Sequence, residues 1–189
     1  MRKIVVTEFL SLDGVMEDPG GSEGTPQGGW TLKFSGPDQF QYKLDELFAH
    51  DALLLGRVTY EGFAEAWPGR TDDMGFADRM NAIEKYVVSS TLTDPGWSNT
   101  TVVGTDLAAI VADLRAAEGQ DVLVAGSAQL VQGLVAQDLV DEYRLMVFPI
   151  VLGSGKRLFG ERAGASMLEL VDSRALASGT MILTYHPVR

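Results

Sequence analysis

The chain has 189 residues, 46% hydrophobic and 22% charged, with 15 basic against 26 acidic residues, two histidines and no cysteine, for a formal net charge of −11. That size and balance suit one globular domain with a real core, and the lack of cysteine excludes disulfides, thiol catalysis and thiolate metal sites and fits a reducing cytoplasm. So acidic a chain is a poor general binder of nucleic acid or anionic membranes, and no apolar run reaches the ~18 residues of a membrane span.

The opening MRKIVVTEF reads as a strand rather than a secretory signal. Ile4, Val5 and Val6 are too continuous for a half-exposed edge, and the strand ends in the turn Ser11-Leu12-Asp13-Gly14. Residues 17 to 29 (EDPGGSEGTPQGG) hold five glycines and two prolines, the composition of a functional lid or a disordered loop. Trp30 closes it. Pro37 to His50 predicts a helix with Phe40, Leu44, Leu47 and Phe48 on one face. His50 then falls in the last turn, where a partly positive imidazole suits the helix dipole.

Ala52 to Leu55 predicts a second strand, ending at Gly56-Arg57, with a helix from Thr59 to Ala66. Asp72 to Ile83 reads as a short helix, Lys85 to Ser89 as a third strand ending in Ser89-Ser90-Thr91, and Thr101 to Val103 as a fourth. Thr105 or Asp106 caps a helix through Glu118, whose Leu107, Ile110, Val111 and Leu114 follow i, i+3, i+4, i+7 until Gly119 stops it.

The most informative stretch follows. Val122 to Ala125 is a buried strand, Gly126-Ser127 a turn, and the next helix has Leu130, Val131, Leu134 and Val135 on its greasy face. A strand from Glu142 to Val151 completes a βαβ unit with parallel strands and a right-handed crossover. Gly126 lets the backbone bend and a ligand approach. The helix start behind it offers free N–H groups and the positive end of a dipole, which together bind phosphate without lysine. The plain alternative is a turn capped by Ser127. Leu168 to Ser173 and Thr180 to Tyr185 are late strands close enough to pair antiparallel.

This alternation predicts an open, mostly parallel α/β sheet with helices on both faces and an antiparallel C-terminal strand, in one domain spanning 1–189. Ligands in such sheets collect at the carboxyl ends of strands, here Leu12-Asp13-Gly14, Gly56-Arg57, Ser89-Ser90, Gly126-Ser127 and Gly153-Ser154-Gly155. Familiar phosphate motifs are absent. A phosphate loop ending at Gly155-Lys156 needs glycine where Ile150 stands, and G-x-G-x-x-G fails at Leu158. Two scattered histidines support neither a hydrolase triad nor a metal site.

LLLGRVTYE (Leu53 to Glu61), YVVSST (Tyr86 to Thr91) and VLVAGSAQL (Val122 to Leu130) occur in the order and spacing of the dihydrofolate reductase fold, which the chain resembles. SLDGV (Ser11 to Val15), Gly-Gly-Trp at 28 to 30, QDLVDEY (Gln137 to Tyr143) and PIVLGSGKRLF (Pro149 to Phe159) resemble one branch more closely. That branch is the reductase domain of bifunctional riboflavin-pathway deaminase-reductases and its stand-alone relatives, which act on 5-amino-6-(5-phosphoribosylamino)uracil or on unassigned compounds.

The resemblance implies an NADPH-dependent reductase of a small heterocycle, pterin-like or pyrimidine-like. Gly56 falls in the cofactor set, and Arg57 matches the arginine that meets the adenosine 2′-phosphate, a role suited to a guanidinium fork. Thr59 matches a hydroxyl near the pyrophosphate, Ser89 and Ser90 hydroxyls that share the 2′-phosphate, and Gly126, Ser127, Ala128 and Gln129 the pyrophosphate turn. It also implies a cis Gly126–Ser127 peptide, although dihydrofolate reductases carry Gly-Gly there, and a homodimer. Asp13 is the candidate proton donor if burial lifts its pKa; otherwise it only makes the turn. Trp30 stacks on a planar substrate or anchors packing, and Pro149 and Gly153 line the substrate side. Lys156 and Arg157 meet an anionic substrate group or are a solvated pair. In dihydrofolate reductases the first helix carries an acid that positions the pterin, and none of Asp38, Asp45 and Glu46 clearly matches it. The other readings are a catalytically silent nucleotide-binding module and a true dihydrofolate reductase.

Overall fold

Ile4, Val5 and Val6 are fully buried, as a central strand covered on both faces requires. They belong to β1 (Ile4–Ser11) in a computed structural model of the chain, which describes residues 1–160 and 165–189. The elements that follow are α1 (Pro37–Phe48), β2 (His50–Gly56), α2 (Arg57–Ala66), α3 (Phe76–Ala82), β3 (Glu84–Val88), β4 (Thr100–Val103) and α4 (Leu107–Ala116). Then come β5 (Asp121–Val124), α5 (Ala128–Ala136), β6 (Glu142–Phe148), β7 (Leu168–Ala175) and β8 (Met181–Pro187). The strands form one sheet in the order β4-β3-β2-β5-β1-β6-β8-β7. It is parallel from β4 to β6, and β8 runs antiparallel to both β6 and β7. This is the dihydrofolate reductase-like sheet the sequence predicts.

Successive strand residues face opposite sides, so β1 feeds two cores at once. Ile4 and Val6 join Leu107, Val111, Val131 and Leu134 of α4 and α5, while Val5 joins Leu47, Tyr60 and Met80 of α1, α2 and α3. Each of these buried side chains contributes about 2 kcal/mol. A third cluster gathers Trp30, Phe148 and Ile182 beneath the 3-10 turn Trp30–Phe34. β5 and β6 are parallel as predicted, but β1 lies between them and pairs with both.

Several boundaries move, each for a local reason. The α1 helix stops at Phe48, and His50 opens β2 instead of closing the helix. Its Nδ1 meets Glu46 O at 2.6 Å, and burial depresses its pKa, so a neutral imidazole, not a positive one, caps α1. Asp72 lies before α3, because its carboxylate receives Met74, Phe76 and Ala77 N–H groups and Gly75 turns left-handed at φ 78. α4 is capped by the Asp106 side chain, as predicted, but ends at Ala116, where Ala117 becomes extended. β6 ends at Phe148 rather than Val151: Pro149 cannot donate to a ladder, and Ile150 N–H turns back to Phe148 O. Among the described residues no helix is long and apolar enough to cross a membrane.

Candidate active site

The β5 strand stops early, and that leaves a crevice. Its pairing with β1 ends at Val6–Val124, whereas β1 runs on to Ser11 beside β6. From Thr7 onward one edge of β1 is therefore open, beside the turn that leads into α5. Such a gap at the carboxyl ends of parallel strands is where open α/β sheets bind ligands. A cavity of about 690 Å³ fills it. Thr7, Glu8 and Phe9 all line this cavity although they alternate in direction, so the space cuts through the plane of the sheet.

One wall is the Gly126-Ser127 turn. The peptide between these residues is cis, as the resemblance implies, and Gly126 sits at φ 89. A Cβ there would lie 2.8 Å from Thr59 Oγ1, so only glycine fits. Gly126, Ser127, Ala128, Gln129 and Thr59 all reach the cavity. Gly56 N–H donates to Gly126 O at 3.1 Å, and a Cβ on Gly56 would collide with the Ser127 hydroxyl. This brings the start of α2 against the start of α5. Neither Gly56 nor Ser127, the two N-cap residues, caps its helix through a side chain.

The other cofactor candidates lie just outside the cavity. Arg57 follows Gly56 on the exposed rim, held at 2.9 and 3.0 Å by Glu61. The register Gly56–Val88 sets Ser89 beside Arg57. Ser89 Oγ receives Thr91 and Leu92 N–H groups and lies 3.4 Å from Thr91 Oγ1, and Ser90 is exposed. The strand ends with Arg57, Ser89 and Gly126 thus converge, while those with Asp13 and Gly153 meet each other elsewhere.

That second group corrects the predicted substrate side. Asp13 accepts hydrogen bonds from Ser11 Oγ at 2.7 Å, Leu152 N at 3.0 Å and Gly153 N at 2.9 Å. These bonds pull its pKa down to about 2, the reverse of what a proton donor needs. Asp13 clamps one turn onto another and does not line the cavity, and neither do Pro149 and Gly153. Trp30 is 2% exposed, donates Nε1–H to Glu17 O at 2.8 Å and packs edge-on against Phe148, 5.4 Å between centroids. It anchors the core and leaves no face for a ligand. Lys156 pairs with Glu17 and Glu23, and Arg157 with Asp13; both are solvated cations held by acidic neighbours, and Lys156 reaches the cavity rim.

The glycine-rich loop does cover the cavity. Asp18 is buried at a left-handed φ of 48 and accepts from Glu23 N, Thr25 N and Thr25 Oγ1 at 2.9 to 3.0 Å. Its carboxylate thereby pins the loop as a defined rim instead of a disordered strap.

What the sequence reading missed is the polar floor. Glu8 on β1 is buried, and its Oε1 has no hydrogen-bond partner. Desolvation lifts its pKa from 4.5 to about 8, against the opposing pull of Lys43 and the Gly126 N–H, with Glu46 adding to the rise. Beside it, Glu46 of α1 is only 1% exposed; Thr7 Oγ1 donates to its Oε2 at 3.0 Å, Lys43 forms a salt bridge with it, and its Oε1 makes no hydrogen bond but lies 3.8 Å from Arg144 of β6. The first helix therefore does present a carboxylate to the cavity. Its other two acids do not: Asp38 receives Ala177 N–H, and Asp45 receives the Gln41 amide on the exposed face. One signal was available in the sequence: Glu8 is the one charged residue in the central strand IVVTEFLS. Opposite this floor, Phe40, Phe63, Trp67 and Phe76 form an aromatic wall, with Phe76 5.3 Å from Trp67 and 5.7 Å from Phe40. An apolar slot with polar groups at one end suits a planar heterocycle.

Comparison with known proteins agrees with this fold. A family model described as the RibD C-terminal domain matches residues 2–182. The uncharacterized protein YyaP of Bacillus subtilis (strain 168) is 27% identical over 189 residues, covering 98% of this chain and 95% of that protein. The fold superposes at a TM-score of 0.76 on a crystal structure from Shewanella sp. PV-4, provisionally assigned to riboflavin biosynthesis, with 26% identity and 99% of each chain covered. It also matches a dihydrofolate reductase from Enterococcus faecalis complexed with NADP(H), at a TM-score of 0.61, 18% identity and coverage of 99% and 97%.

Proposed function

Because the chain belongs to the RibD C-terminal domain family, we propose that it is an NADPH-dependent reductase of a small planar heterocycle carrying a C=N or C=O bond. The observation that carries the reading is the apposition of two helix starts, α2 and α5, that lack side-chain caps, at the wall of a cavity that cuts through the sheet. Two sets of unsatisfied N–H groups facing one place suit a pyrophosphate, in a chain otherwise too acidic to attract one. Gly126, Ser127, Ala128, Gln129 and Thr59 would hold that pyrophosphate. Arg57 with Ser89 and Ser90 would hold the 2′-phosphate that separates NADPH from NADH. When bound, the cofactor supplies hydride; the chain's part is to orient it and manage the proton.

The substrate then occupies the slot between the aromatic wall and the Thr7, Lys43 and Glu46 floor, where donors and a carboxylate suit a pterin or pyrimidine edge. We extend the reading to a homodimer, since the edge strand β7 exposes Leu170 and Val171 and its neighbour β8 exposes Met181. Sedimentation would detect the dimer.

Calorimetric titration with NADPH and NADH tests the cofactor assignment. Arg57→Ala should weaken NADPH binding at least tenfold and leave NADH binding unchanged. No heat with NADPH for the native protein defeats the reading. Binding without oxidation of NADPH over dihydropterins, dihydrofolate and aminopyrimidines would favour a silent nucleotide-binding module.

A further inference from the structure

Resting on that reductase reading, we infer that Glu8 is the acid of the reaction: its carboxyl stays protonated in the cavity and gives that proton to the substrate atom left basic by hydride addition. Geometry singles it out. Glu8 lies where β1 loses its β5 neighbour, at the wall shared by the Gly126 turn and the substrate slot. It is buried, lines the cavity, and carries an oxygen that no protein group satisfies. A buried polar atom without a partner costs stability unless something binds it, so an unpartnered carboxyl oxygen at a cavity wall marks a place for a ligand.

The neighbours agree. Lys43 and Glu46 of α1 and Gly126 line the same cavity, where Lys43 and the Gly126 amide favour the carboxylate and Glu46 opposes it. Glu17, Asp18 and Lys156 line the same cavity from the rim, where Lys156 is taken up by Glu17 and Glu23 and Asp18 by loop amides. Lys43 is committed to Glu46 and Thr7. Glu8 is therefore left with burial as the dominant influence, and burial favours the neutral acid near pH 7. Asp13, the other acid of the strand end, is held ionised by its hydrogen bonds and lies outside the cavity.

The step balances. A bound reduced nicotinamide would supply the hydride for the carbon of a C=N bond and would itself be the two-electron reductant. The Glu8 O–H bond breaks as the N–H bond of the product amine forms. Glu8 remains as a carboxylate and regains a proton from water when product leaves.

Glu8→Gln separates this role from a packing role, because the amide keeps size and hydrogen bonding but has no acidic proton. Carboxyl-carbon NMR of the cofactor-free protein labelled at glutamate should show one resonance titrating near pH 8 and missing from E8Q. With 7,8-dihydrofolate and 7,8-dihydropterin as probes, E8Q should lose 10²- to 10⁴-fold in kcat with KM and the NADPH Kd within threefold. Wild-type kcat should fall tenfold per pH unit above about 8, and the E8Q residue should stay flat. Where a probe binds without turnover, its Kd should weaken between pH 6.5 and 8.5 in the native protein only. A Glu8 resonance titrating near pH 4 to 5, or E8Q with full kcat, overturns the assignment. Loss of NADPH binding in the native protein overturns the reductase reading instead.

Discussion

A buried acid that stays neutral must make the fold less stable as pH rises, and Glu8 lets that effect be measured without substrate. Its folded pKa of about 8 stands above the ordinary 4.5. At 1.36 kcal/mol per tenfold, the folded state prefers the protonated form by roughly 5 kcal/mol. A raised folded pKa means the native state holds a proton the unfolded chain has released. The associated stability is fully present below pH 4.5 and lost as pH climbs through 8, at about 1.4 kcal/mol per pH unit. Two other groups act outside the useful window. The depressed pKa of His50 affects stability below pH 6.5, and that of Lys85, lowered to about 8 by burial, adds stability above pH 8. Between pH 6.5 and 8, urea unfolding of the native protein should therefore lose about 2 kcal/mol, while E8Q stays level and becomes the more stable of the two. Parallel curves for both proteins would show that Glu8 is ionised inside the fold, and the argument from its burial would be wrong.

Three further outcomes follow from the geometry. Gly126→Ala puts a Cβ against Thr59 at a left-handed φ, so it should cost ~1–2 kcal/mol and weaken NADPH binding at least tenfold, as read by urea midpoint and calorimetry. Asp13→Asn sets an amide against the Gly153 N–H; it should cost ~1–3 kcal/mol in a thermal melt yet keep turnover within threefold, and a collapse of kcat would return Asp13 to the chemistry. The low pKa of Asp13 also means that its stabilising bonds, complete above pH 3.8, are lost as pH drops through about 2. Trp30→Phe gives up the indole bond to Glu17 O, costing about 1 kcal/mol with substrate KM unchanged; a large rise in KM would mean that the ring touches substrate after all.

Local pattern carried most of the architecture, because period and punctuation are properties of neighbouring residues. The apolar run at Ile4 to Val6, the i, i+3, i+4, i+7 spacing of Leu107 to Leu114 and the glycine at 126 each name an element without knowledge of the rest. The Gly126-Ser127 turn was legible for the same reason: both residues and the helix behind them are contiguous. Where the sequence reading erred, the deciding contact spanned a long stretch of chain. Asp13 reads as a poised acid until Leu152 and Gly153 arrive across 139 and 140 residues to hold it ionised. Trp30 reads as either a ligand platform or a packing anchor, and the distant Phe148 decides for the anchor. Glu8 drew no reading from sequence, and only the early end of β5 makes it a cavity wall. Desolvation decides which carboxylate keeps its proton, and desolvation is set by whatever the tertiary fold brings alongside, not by the residues on either side in the chain.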